Sequence, residues 1–360
     1  MKKIKVAVLF GGKSAEHEVS IQSAKNVVAS LDKNKYDVVL IGIDKKGDWH
    51  VCPPKYLLGS SFSKQEMLPE SDEVSFITKS GGNNLIAMSG QENVGTIDVV
   101  FPVLHGPYGE DGSMQGLLKL ANVPFVGSGV LGSAVGMDKD VSKRLLRGAG
   151  LPVSDFLVFH RRDTISFEEI EEKLGLPFFV KPANLGSSIG VSKVKNREQF
   201  EDAVEEAFLY DVKITVEQSI EGREVECSVL GNDDPIASVA GEIKASHEFY
   251  DYDAKYLDGD GAVTKIPADL SPEKMKEMQE LAVKVFKTLC LQGMARIDFF
   301  YTPEGKFFVN EANTIPGFTN ISMYPKLWEA TGLSYPELID KLIQLAIERH
   351  KEEKGLKTSR

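Results

Sequence analysis

The sequence predicts a mixed α/β and α+β protein in three parts, and three observations support this. At 360 residues the chain is longer than one ordinary core requires. Strand-like and helix-like segments alternate over the first third, a pattern typical of parallel sheets covered by helices. The last third contains a long hairpin of alternating polar and apolar residues, which indicates an antiparallel sheet. We place the three parts at residues 1–127, 128–217 and 218–360.

The elements of the N-terminal part follow from its apolar patterns. The segments with the pattern of buried strands are KIKVAVLF, YDVVLIGID, IDVVFPVLHG and VPFVG. Apolar residues recur at helical spacing in VSIQSAKNVVASL and EDGSMQGLLKL. This alternation predicts a doubly wound parallel sheet with helices on both faces. Residues 51–96 have little periodicity and many polar residues, so we interpret them as an irregular insertion.

The central part predicts a small α+β unit. Its elements in order are helix DKDVSKRLLRGAG, strand DFLVF, helix SFEEIEEKLG, strands LPFFVKPA and IGVSKV, helix REQFEDAVEEAF and strand KITVEQSI. The last part has strands REVECSVLG and PIASVAGEI, then the Tyr- and Asp-rich loop EFYDYDAKYLDGDG. A long helix in SPEKMKEMQELAVKVFKTL, the hairpin MARIDFFYTPEGKFFVNEANT and a terminal helix in YPELIDKLIQLAIERH complete it.

Composition argues against several classes of protein. A net charge of -11 argues against nucleic acid as the main partner, because phosphate backbones bind basic surfaces. No segment approaches the ~20 apolar residues of a membrane span. Cys52, Cys227 and Cys290 are far apart and lack C-x-x-C spacing, which indicates reduced thiols in a cytoplasmic protein. No pair of histidines has zinc-ligand spacing.

The stretch LFGGKSAEHE contains GGKS, the end of a phosphate-binding P-loop pattern. That pattern requires a glycine five residues before Gly12, where Ala7 stands in an apolar strand, so a P-loop is excluded. What remains is an acidic loop with Glu16 at the carboxyl end of a strand. His105 follows another strand in the same way. Ligands of open α/β sheets bind at this edge, which favours a functional role for both residues.

Two glycine-rich stretches allow more than one interpretation. Gly127, Gly129 and Gly132 fit the dinucleotide pattern G-x-G-x-x-G, but Asp155 begins its strand where that pattern needs an acidic residue closing one. We therefore favour a glycine-rich domain junction. In FFVKPANLGSSIGVSKV, Lys181 precedes a loop of glycines and serines that either binds an anion or forms an ordinary hairpin turn.

The hairpin MARIDFFYTPEGKFFVNEANT carries the more specific signal. Alternation places Arg296 and Asp298 on one face, and the simplest register of the TPEG turn adds Glu311 to it, with Asn313 two residues further on. Oxygen ligands beside an arginine suit Mg²⁺, which is usually held by one or two carboxylates and substrate phosphates. The alternative is a solvated polar face with an Arg–Glu cross-strand pair.

Seven stretches occur in one order at domain-scale spacing: GGKSAEHEVS, LHGPYGEDG, GSGVLGSAVGMDK, VKPANLGSSIGVSKV, FYDYDAKY, ARIDFF and NEANTIPGFTNIS. Together they resemble the D-alanine:D-alanine ligases of the ATP-grasp superfamily, from about residue 4 to residue 350. The resemblance implies the ATP-grasp fold. It also implies ATP-dependent joining of two D-alanines through an acyl phosphate, with release of ADP and phosphate, for peptidoglycan precursors.

The same resemblance implies roles for individual residues. The implied ATP contacts are Lys139, Lys181, Glu217, Glu224 and Lys255. Two Mg²⁺ ions, with Mn²⁺ as an alternative, are implied at Asp298, Glu311 and Asn313. For the substrates, the implied residues are Glu16 at the first ammonium, Ser187 and Tyr256 linking it to a closing loop, His105 nearby, Arg296 and the Gly317 N–H at the oxyanion, and Ser322 with the Met323 backbone at the second carboxylate.

Specificity and assembly are implied in the same way. Relatives that make D-alanyl-D-lactate usually lack a tyrosine where Tyr256 stands, so the resemblance favours the dipeptide product. It also implies a homodimer. Two other functions stay open: another ATP-grasp or depsipeptide-forming ligase, and a catalytically silent nucleotide-binding module that regulates a partner. The presence of Arg296, Asp298, Glu311 and Asn313 argues against the silent module.

Overall fold

The computed structural model describes residues 2–53, 57, 73–76, 85–87, 93–245 and 262–357. Its N-terminal part contains β1 (Ile4–Gly11), α1 (His17–Ser30), β2 (Tyr36–Ile43), β3 (Trp49–Cys52), β4 (Val74–Phe76), β5 (Leu85–Ala87), β6 (Asn93–Gly95), β7 (Val99–Pro102) and α2 (Ser113–Leu120). The main sheet has the order β3-β2-β1-β7. β1 is parallel to β2 and β7, while β3 is an antiparallel edge strand.

Apolar cores cover both faces of this sheet, as the doubly wound arrangement predicts. Val6, Val8 and Phe10 of β1 face a core that includes residues of α1, and the alternate residues Ala7 and Leu9 face a core that includes residues of α2. The alternation follows from the period of two in a strand. The carboxyl ends of β1 and β7 are thereby fixed beside each other, which positions the loops carrying Glu16 and His105.

The middle of the chain forms a second, fully antiparallel sheet. Its elements are α3 (Val130–Met137), α4 (Lys139–Gly148), β8 (Phe156–His160), α5 (Phe167–Leu174), β9 (Phe178–Pro182), β10 (Ser192–Val194), α6 (Arg197–Tyr210) and β11 (Lys213–Gln218). The strand order is β10-β9-β11-β8. α5 and α6 pack on one face through an aromatic core that includes Phe167, Phe178 and Phe200.

The last part forms a five-stranded antiparallel sheet. Its elements are β12 (Arg223–Gly231), β13 (Ile236–Ala245), β14 (Ala262–Lys265), α7 (Pro272–Thr288), β15 (Gly293–Tyr301), β16 (Phe307–Asn313), α8 (Met323–Thr331) and α9 (Tyr335–Lys354). The order is β14-β13-β12-β15-β16. α9 contributes Leu338, Leu342 and Ile343 to the core under β1. The boundaries at residues 127 and 217 stay predictions.

The hairpin of β15 and β16 reaches its predicted face by an unexpected register. Tyr301 pairs with Phe307, and a shift between Asp298 and Phe299 leaves Asn310 as an extra residue. Asp298 therefore faces Glu311, and Arg296 faces Asn313 rather than Glu311. The loop is one residue longer than the simplest turn and the bulge adds another, so the two deviations together preserve the side of the sheet.

Other predicted elements need correction. The described residues of the 51–96 segment include β3 and the three-stranded antiparallel sheet β4-β5-β6, so calling it irregular was wrong for them. VPFVG is reduced to a single parallel bridge between Val100 and Phe125. The glycine-rich junction contains the helix α3, with Gly129 at its N-cap. Among the described helices, none is long and apolar enough to cross a membrane.

Candidate active site

The first group of predicted residues meets where the N-terminal and central parts touch. Ser187, in the loop between β9 and β10, donates a hydrogen bond to Glu16 Oε1, and Glu16 is buried. Gly106 lies against the other oxygen, since a Cβ at this position would come 2.9 Å from Glu16 Oε2. A side chain at residue 106 would therefore displace the carboxylate. Glu16 is held from two parts of the chain that are distant in sequence.

The loop that carries Ser187 has a constrained backbone. Ser187 and Ser188 have φ angles of 52° and 58°, in the left-handed region that non-glycine residues rarely adopt. Asn184 anchors the start of the loop, because its backbone N and its Nδ2 both donate to Asp211 Oδ2, at 2.8 and 3.0 Å. Left-handed serines of this kind persist where surrounding contacts enforce them, and such positions concentrate at functional sites. Both earlier interpretations hold in part: the loop joins two hairpin strands, and it also approaches a site residue.

His105 and Glu110 extend this group toward the C-terminal part. His105 Nδ1 lies 2.9 Å from the carbonyl oxygen of Ile315, and burial lowers the pKa of the imidazole. Glu110 Oε2 accepts from the backbone N of Gly106 at 2.9 Å. Burial and the negative charge of Glu16 raise the pKa of Glu110 to about 7. The loop after β7 therefore brings two titratable groups to the boundary between the N-terminal and C-terminal parts.

The central sheet contributes a buried group of two lysines and one glutamate, Lys143, Lys181 and Glu217, which we call the lysine cluster. Lys143 Nζ and Lys181 Nζ lie 3.2 and 3.0 Å from Glu217 Oε2. Burial alone would raise the pKa of Glu217, but Lys143 and Lys181 hold it at about 2. Burial lowers the pKa of Lys143, and the attraction of Glu217 offsets only part of this. The cluster has more positive than negative charge.

The C-terminal sheet contributes the opposite arrangement around Arg296, which we call the acid cluster: Arg296, Glu226, Asp298 and Glu311. Arg296 Nε and Nη2 donate to the two carboxylate oxygens of Asp298 at 2.8 and 2.7 Å. Glu226 Oε2 lies 3.1 Å from Arg296 Nε. Although burial alone would lower the pKa of Arg296, Asp298 and Glu226 raise it well above its usual value. This is not the solvated Arg–Glu pair of the alternative interpretation.

Lys139, the first residue of α4, lies between the two clusters. Its Nζ donates to the carbonyl oxygen of Leu185 at 2.6 Å, in the loop that carries Ser187. The same Nζ is 3.9 Å from Glu311 Oε2. One ammonium group thus links the Ser187 loop of the central part to the acidic face of the hairpin.

The donor set of the acid cluster fits Mg²⁺. Asp298 and Glu311 are directly opposite each other, and Asn313 Nδ2 donates to Asp298 Oδ2 at 2.9 Å, which directs the amide oxygen elsewhere. In the described part of the chain, no three His, Cys, Asp or Glu side chains are grouped as a metal site. Two carboxylates and an amide match a hard cation that takes its other ligands from phosphates and water.

A turn and a helix N-terminus lie beside these clusters. A Cβ at Gly317 would come 2.7 Å from Ser322 Oγ, so glycine permits the approach. Ser322 Oγ accepts from Thr319 N at 2.9 Å, and Ser322 is the N-cap of α8, whose first residue is Met323. Free N–H groups at a helix N-terminus attract carboxylates.

Comparisons with known proteins agree with this geometry. A model of the D-ala D-ala ligase N-terminus matches residues 5–128, and one of the D-ala D-ala ligase C-terminus matches residues 145–344. The chain is 54% identical over 363 residues to D-alanine–D-alanine ligase A of Escherichia coli strain K12, and the match covers 100% of both chains. This chain belongs to the D-alanine–D-alanine ligase family.

Solved structures extend the comparison to the fold. The D-alanine–D-alanine ligase of Coxiella burnetii superposes with a TM-score of 0.88 at 42% identity, covering 98% of this chain and 97% of that one. The VanG D-Ala:D-Ser ligase of Enterococcus faecalis gives 0.84 at 39% identity, with 96% and 100% covered. These likenesses confirm the predicted ATP-grasp fold class.

Two predicted residues of this D-alanine–D-alanine ligase family member, Lys255 and Tyr256, lie outside the described residues. Glu224 is exposed on β12, on the same face as Glu226 and two residues before it. It stands at the edge of the acid cluster, whereas the other described site residues contact each other or lie in adjacent loops.

Sequence reasoning missed three residues of the site. Lys143 follows Lys139 by four residues, which puts both on one face of α4, but this spacing is also that of an ordinary exposed helix face. Glu110 lies in the quoted LHGPYGEDG stretch without a role assigned to it. Glu226 alternates with Glu224 on β12 and pairs with Asp298. Period-two alternation could have found Glu226, but the pairing of β12 with β15 had to be known.

Proposed function

We propose that this protein joins two D-alanines into D-alanyl-D-alanine at the expense of ATP, releasing ADP and phosphate, as a step of peptidoglycan precursor synthesis. The observation that carries the proposal is the position of Lys139 between a cluster with excess positive charge and one with excess negative charge. A cationic pocket beside an acidic one suits a nucleotide triphosphate and its metal ions. The family membership supplies the substrate class.

The nucleotide occupies the space between the central and C-terminal sheets. Lys139 and Lys181 bind its phosphates, because each ammonium group lies at the boundary of a cluster with excess positive charge. Glu217 and Glu224 serve the adenine and ribose. Lys255, outside the described residues, reaches the terminal phosphates.

Asp298, Glu311 and Asn313 would hold two Mg²⁺ ions, with Mn²⁺ as an alternative. These ions would neutralise charge on the phosphates and polarise the transferred phosphoryl group. The protein's own contribution is the rigid hairpin face, which holds the two carboxylates opposite each other.

The first D-alanine binds beside Glu16. The Glu16 carboxylate pairs with its ammonium group, Ser187 and Tyr256 connect this contact to the closing loop, and His105 lies alongside. In the first step a carboxylate oxygen of this D-alanine takes the γ-phosphoryl group of ATP, and ADP leaves. The resulting acyl phosphate has phosphate as a good leaving group.

In the second step the amine of the second D-alanine attacks the acyl carbon. The amine loses a proton, the C–N bond forms and phosphate departs. Negative charge develops on the carbonyl oxygen, and Arg296 with the Gly317 N–H stabilises it. The strong ion pairs of Arg296 hold the guanidinium in place before the reaction, so little reorganisation is needed.

The second D-alanine is held by its carboxylate at the N-terminus of α8. Ser322 Oγ and the Met323 N–H lie at this helix start, where the helix dipole favours an anion. A D-Ala:D-Ser ligase shares this fold, so the acceptor has to be measured. The presence of Tyr256 favours D-alanine over D-lactate.

The deciding experiment supplies purified protein with ATP, Mg²⁺ and D-alanine, and in parallel adds D-serine or D-lactate as the competing acceptor. Phosphate release is followed with product mass spectrometry, and L-alanine serves as the control. We expect ADP, phosphate and D-alanyl-D-alanine in equal amounts. A predominant D-alanyl-D-serine or D-alanyl-D-lactate product would replace the proposed acceptor, and ATP binding without any product would favour a regulatory module.

Assembly and location are proposed with this function. We infer a homodimer and a cytoplasmic enzyme whose partners are small molecules rather than nucleic acid or membranes. The net charge of -11 and the reduced, unpaired state of the described cysteines support this. ATP as a substrate is consistent with the same compartment.

A further inference from the structure

The loop between β16 and α8 is gripped by side chains from the N-terminal part, on both sides of Gly317. On the far side, Phe318 N donates to Ser23 Oγ at 3.1 Å, and Asn26 Nδ2 donates to the carbonyl oxygen of Phe318 at 3.0 Å. Both side chains come from α1. The peptide groups of Phe318 are therefore positioned by a helix nearly the whole chain length away in sequence.

On the near side, His105 and Glu110 hold Ile315. His105 Nδ1 must donate to the Ile315 carbonyl oxygen, 2.9 Å away, because a carbonyl can only accept. With the ring neutral, Nε2 is then an acceptor, and Ser23 Oγ lies 3.3 Å from it. Ser23 thus accepts from the Phe318 N–H and donates to His105. We call Ser23, Asn26, His105 and Glu110 the loop clamp.

Glu110 makes the most contacts in the loop clamp. Its Oε1 accepts from Ile315 N at 2.7 Å and from Thr314 Oγ1 at 3.2 Å, while its Oε2 accepts from Gly106 N at 2.9 Å. The carboxylate therefore ties the loop after β7 to the loop after β16. A carboxylate that accepts several N–H and O–H groups forms strong, directional hydrogen bonds. Asn313 and Gly317 lie two residues to either side of Ile315.

We propose that Glu110 is a positioning residue of the ligation reaction: by fixing residues 314–318 it sets the place of the Gly317 N–H and of Asn313. This rests on the proposed function of those two residues. Glu110 touches neither reacting atom and acts through the loop. The N-terminal part, which holds the first substrate, thereby also positions the oxyanion donor that acts on it.

Three variants at residue 110 separate reach from charge. Glu110→Ala removes all the contacts, Glu110→Gln keeps the length but loses one acceptor, and Glu110→Asp keeps the charge but is one methylene shorter. We expect kcat to fall by roughly ten- to a hundredfold in Glu110→Ala, since a displacement of ~1 Å in a catalytic group can cost about a hundredfold. The KM for ATP should stay within about threefold. Glu110→Gln should retain more activity than Glu110→Asp, because a shortened side chain cannot span both loops.

Asp111→Asn is the matched control. Asp111 lies in the same loop and also accepts two backbone N–H groups, but these belong to Tyr108 and Ser113, within the loop itself. We expect its kcat to stay within about threefold of the unaltered protein. A Glu110→Ala kcat equal to that of Asp111→Asn, or full activity in Glu110→Asp, would overturn the proposal.

Hydrogen exchange tests the contact without relying on the reaction. The Ile315 amide is protected by Glu110, so a peptide covering residues 313–322 should exchange about tenfold faster or more in Glu110→Ala and at the unaltered rate in Asp111→Asn. If Glu110→Ala does not fold, Asn26→Ala, at a half-buried position, should show the same faster exchange and the same loss of kcat. Unchanged exchange in the folded variants would refute the positioning role, whereas absence of product from the unaltered protein would refute only the proposed function.

Discussion

The lysine cluster and the acid cluster solve the same problem with opposite signs. In the central sheet two lysines share one carboxylate, and in the C-terminal sheet three carboxylates surround one arginine. Both lie largely out of water. Removing a charge from water is costly unless partners compensate it, so each cluster contains an ion pair together with an excess of one sign.

The difference shows what each cluster is built to receive. An excess of positive charge lowers the free energy of bound phosphate, and an excess of negative charge lowers that of a divalent cation. Lys139 reaches toward the acid cluster, with its Nζ 3.9 Å from Glu311 Oε2. The substrate and its ions would therefore bring to each cluster the charge that it lacks.

Removing the single cation of the acid cluster should have the largest effect. We expect Arg296→Ala to lower kcat by on the order of a hundredfold or more, the loss observed when other oxyanion donors are removed. The variant also leaves Asp298 and Glu226 without the guanidinium, so its fold is checked by circular dichroism. Steady-state kinetics with saturating ATP and D-alanine measure the effect.

Two further variants sharpen this result. Arg296→Lys keeps the charge but not the two-point contact with Asp298, and should recover only part of the activity. Arg162→Ala removes an exposed arginine of the central part and should leave kcat unchanged. A folded Arg296→Ala protein with a loss of less than a few-fold would show that Arg296 is structural.

The lysine cluster should respond more weakly and in a different parameter. In Lys143→Met, Glu217 keeps only Lys181, which is then less available to a phosphate. We expect the KM for ATP to rise roughly tenfold, and the free energy of unfolding to fall by about 2 kcal/mol, as for a lost hydrogen bond to a charged group. ATP titrations and urea unfolding measure the two quantities.

The control for this variant is Lys173→Met, which removes an exposed lysine of α5. It should change neither quantity. A Lys143→Met protein with the unaltered KM for ATP and reduced stability would assign Lys143 to the fold alone and break the link between the cluster and the nucleotide.

Local patterns predicted the frame of the site, and contacts distant in sequence determined the rest. The period of two placed Asp298 and Glu311 on one face, although the extra residue Asn310 was not visible in the alternation. The helix α3 was missed because its glycines lower helix propensity, and packing outweighs this. A Cβ at Gly132 would come 2.5 Å from the Cys290 carbonyl oxygen, so the close contact, and not propensity, explains the residue.

The same limit explains the missed charged residues. Glu110 is 205 residues from Ile315 along the chain, and no local pattern encodes that contact. Lys143 resembles any lysine on a polar helix face until β11 places Glu217 beneath it. Motif resemblance assigned the residues expected to touch substrate, while residues that position them became visible only through the packing of the three sheets.

The smallest expected effect concerns the pH dependence of stability in the lysine cluster. The folded pKa of Glu217 is about 2, below the unfolded value of 4.5. Ionised Glu217 therefore stabilises the fold above about pH 4.5, and this contribution is lost as the pH falls toward about 2. In Glu217→Gln the contribution is absent, so the stability difference from the unaltered protein should shrink by about 1 kcal/mol between pH 5 and pH 3.5. Urea unfolding at the two pH values measures it, with exposed Glu205→Gln as the control that should show no such change; a difference independent of pH would mean that the two lysines do not hold Glu217 ionised.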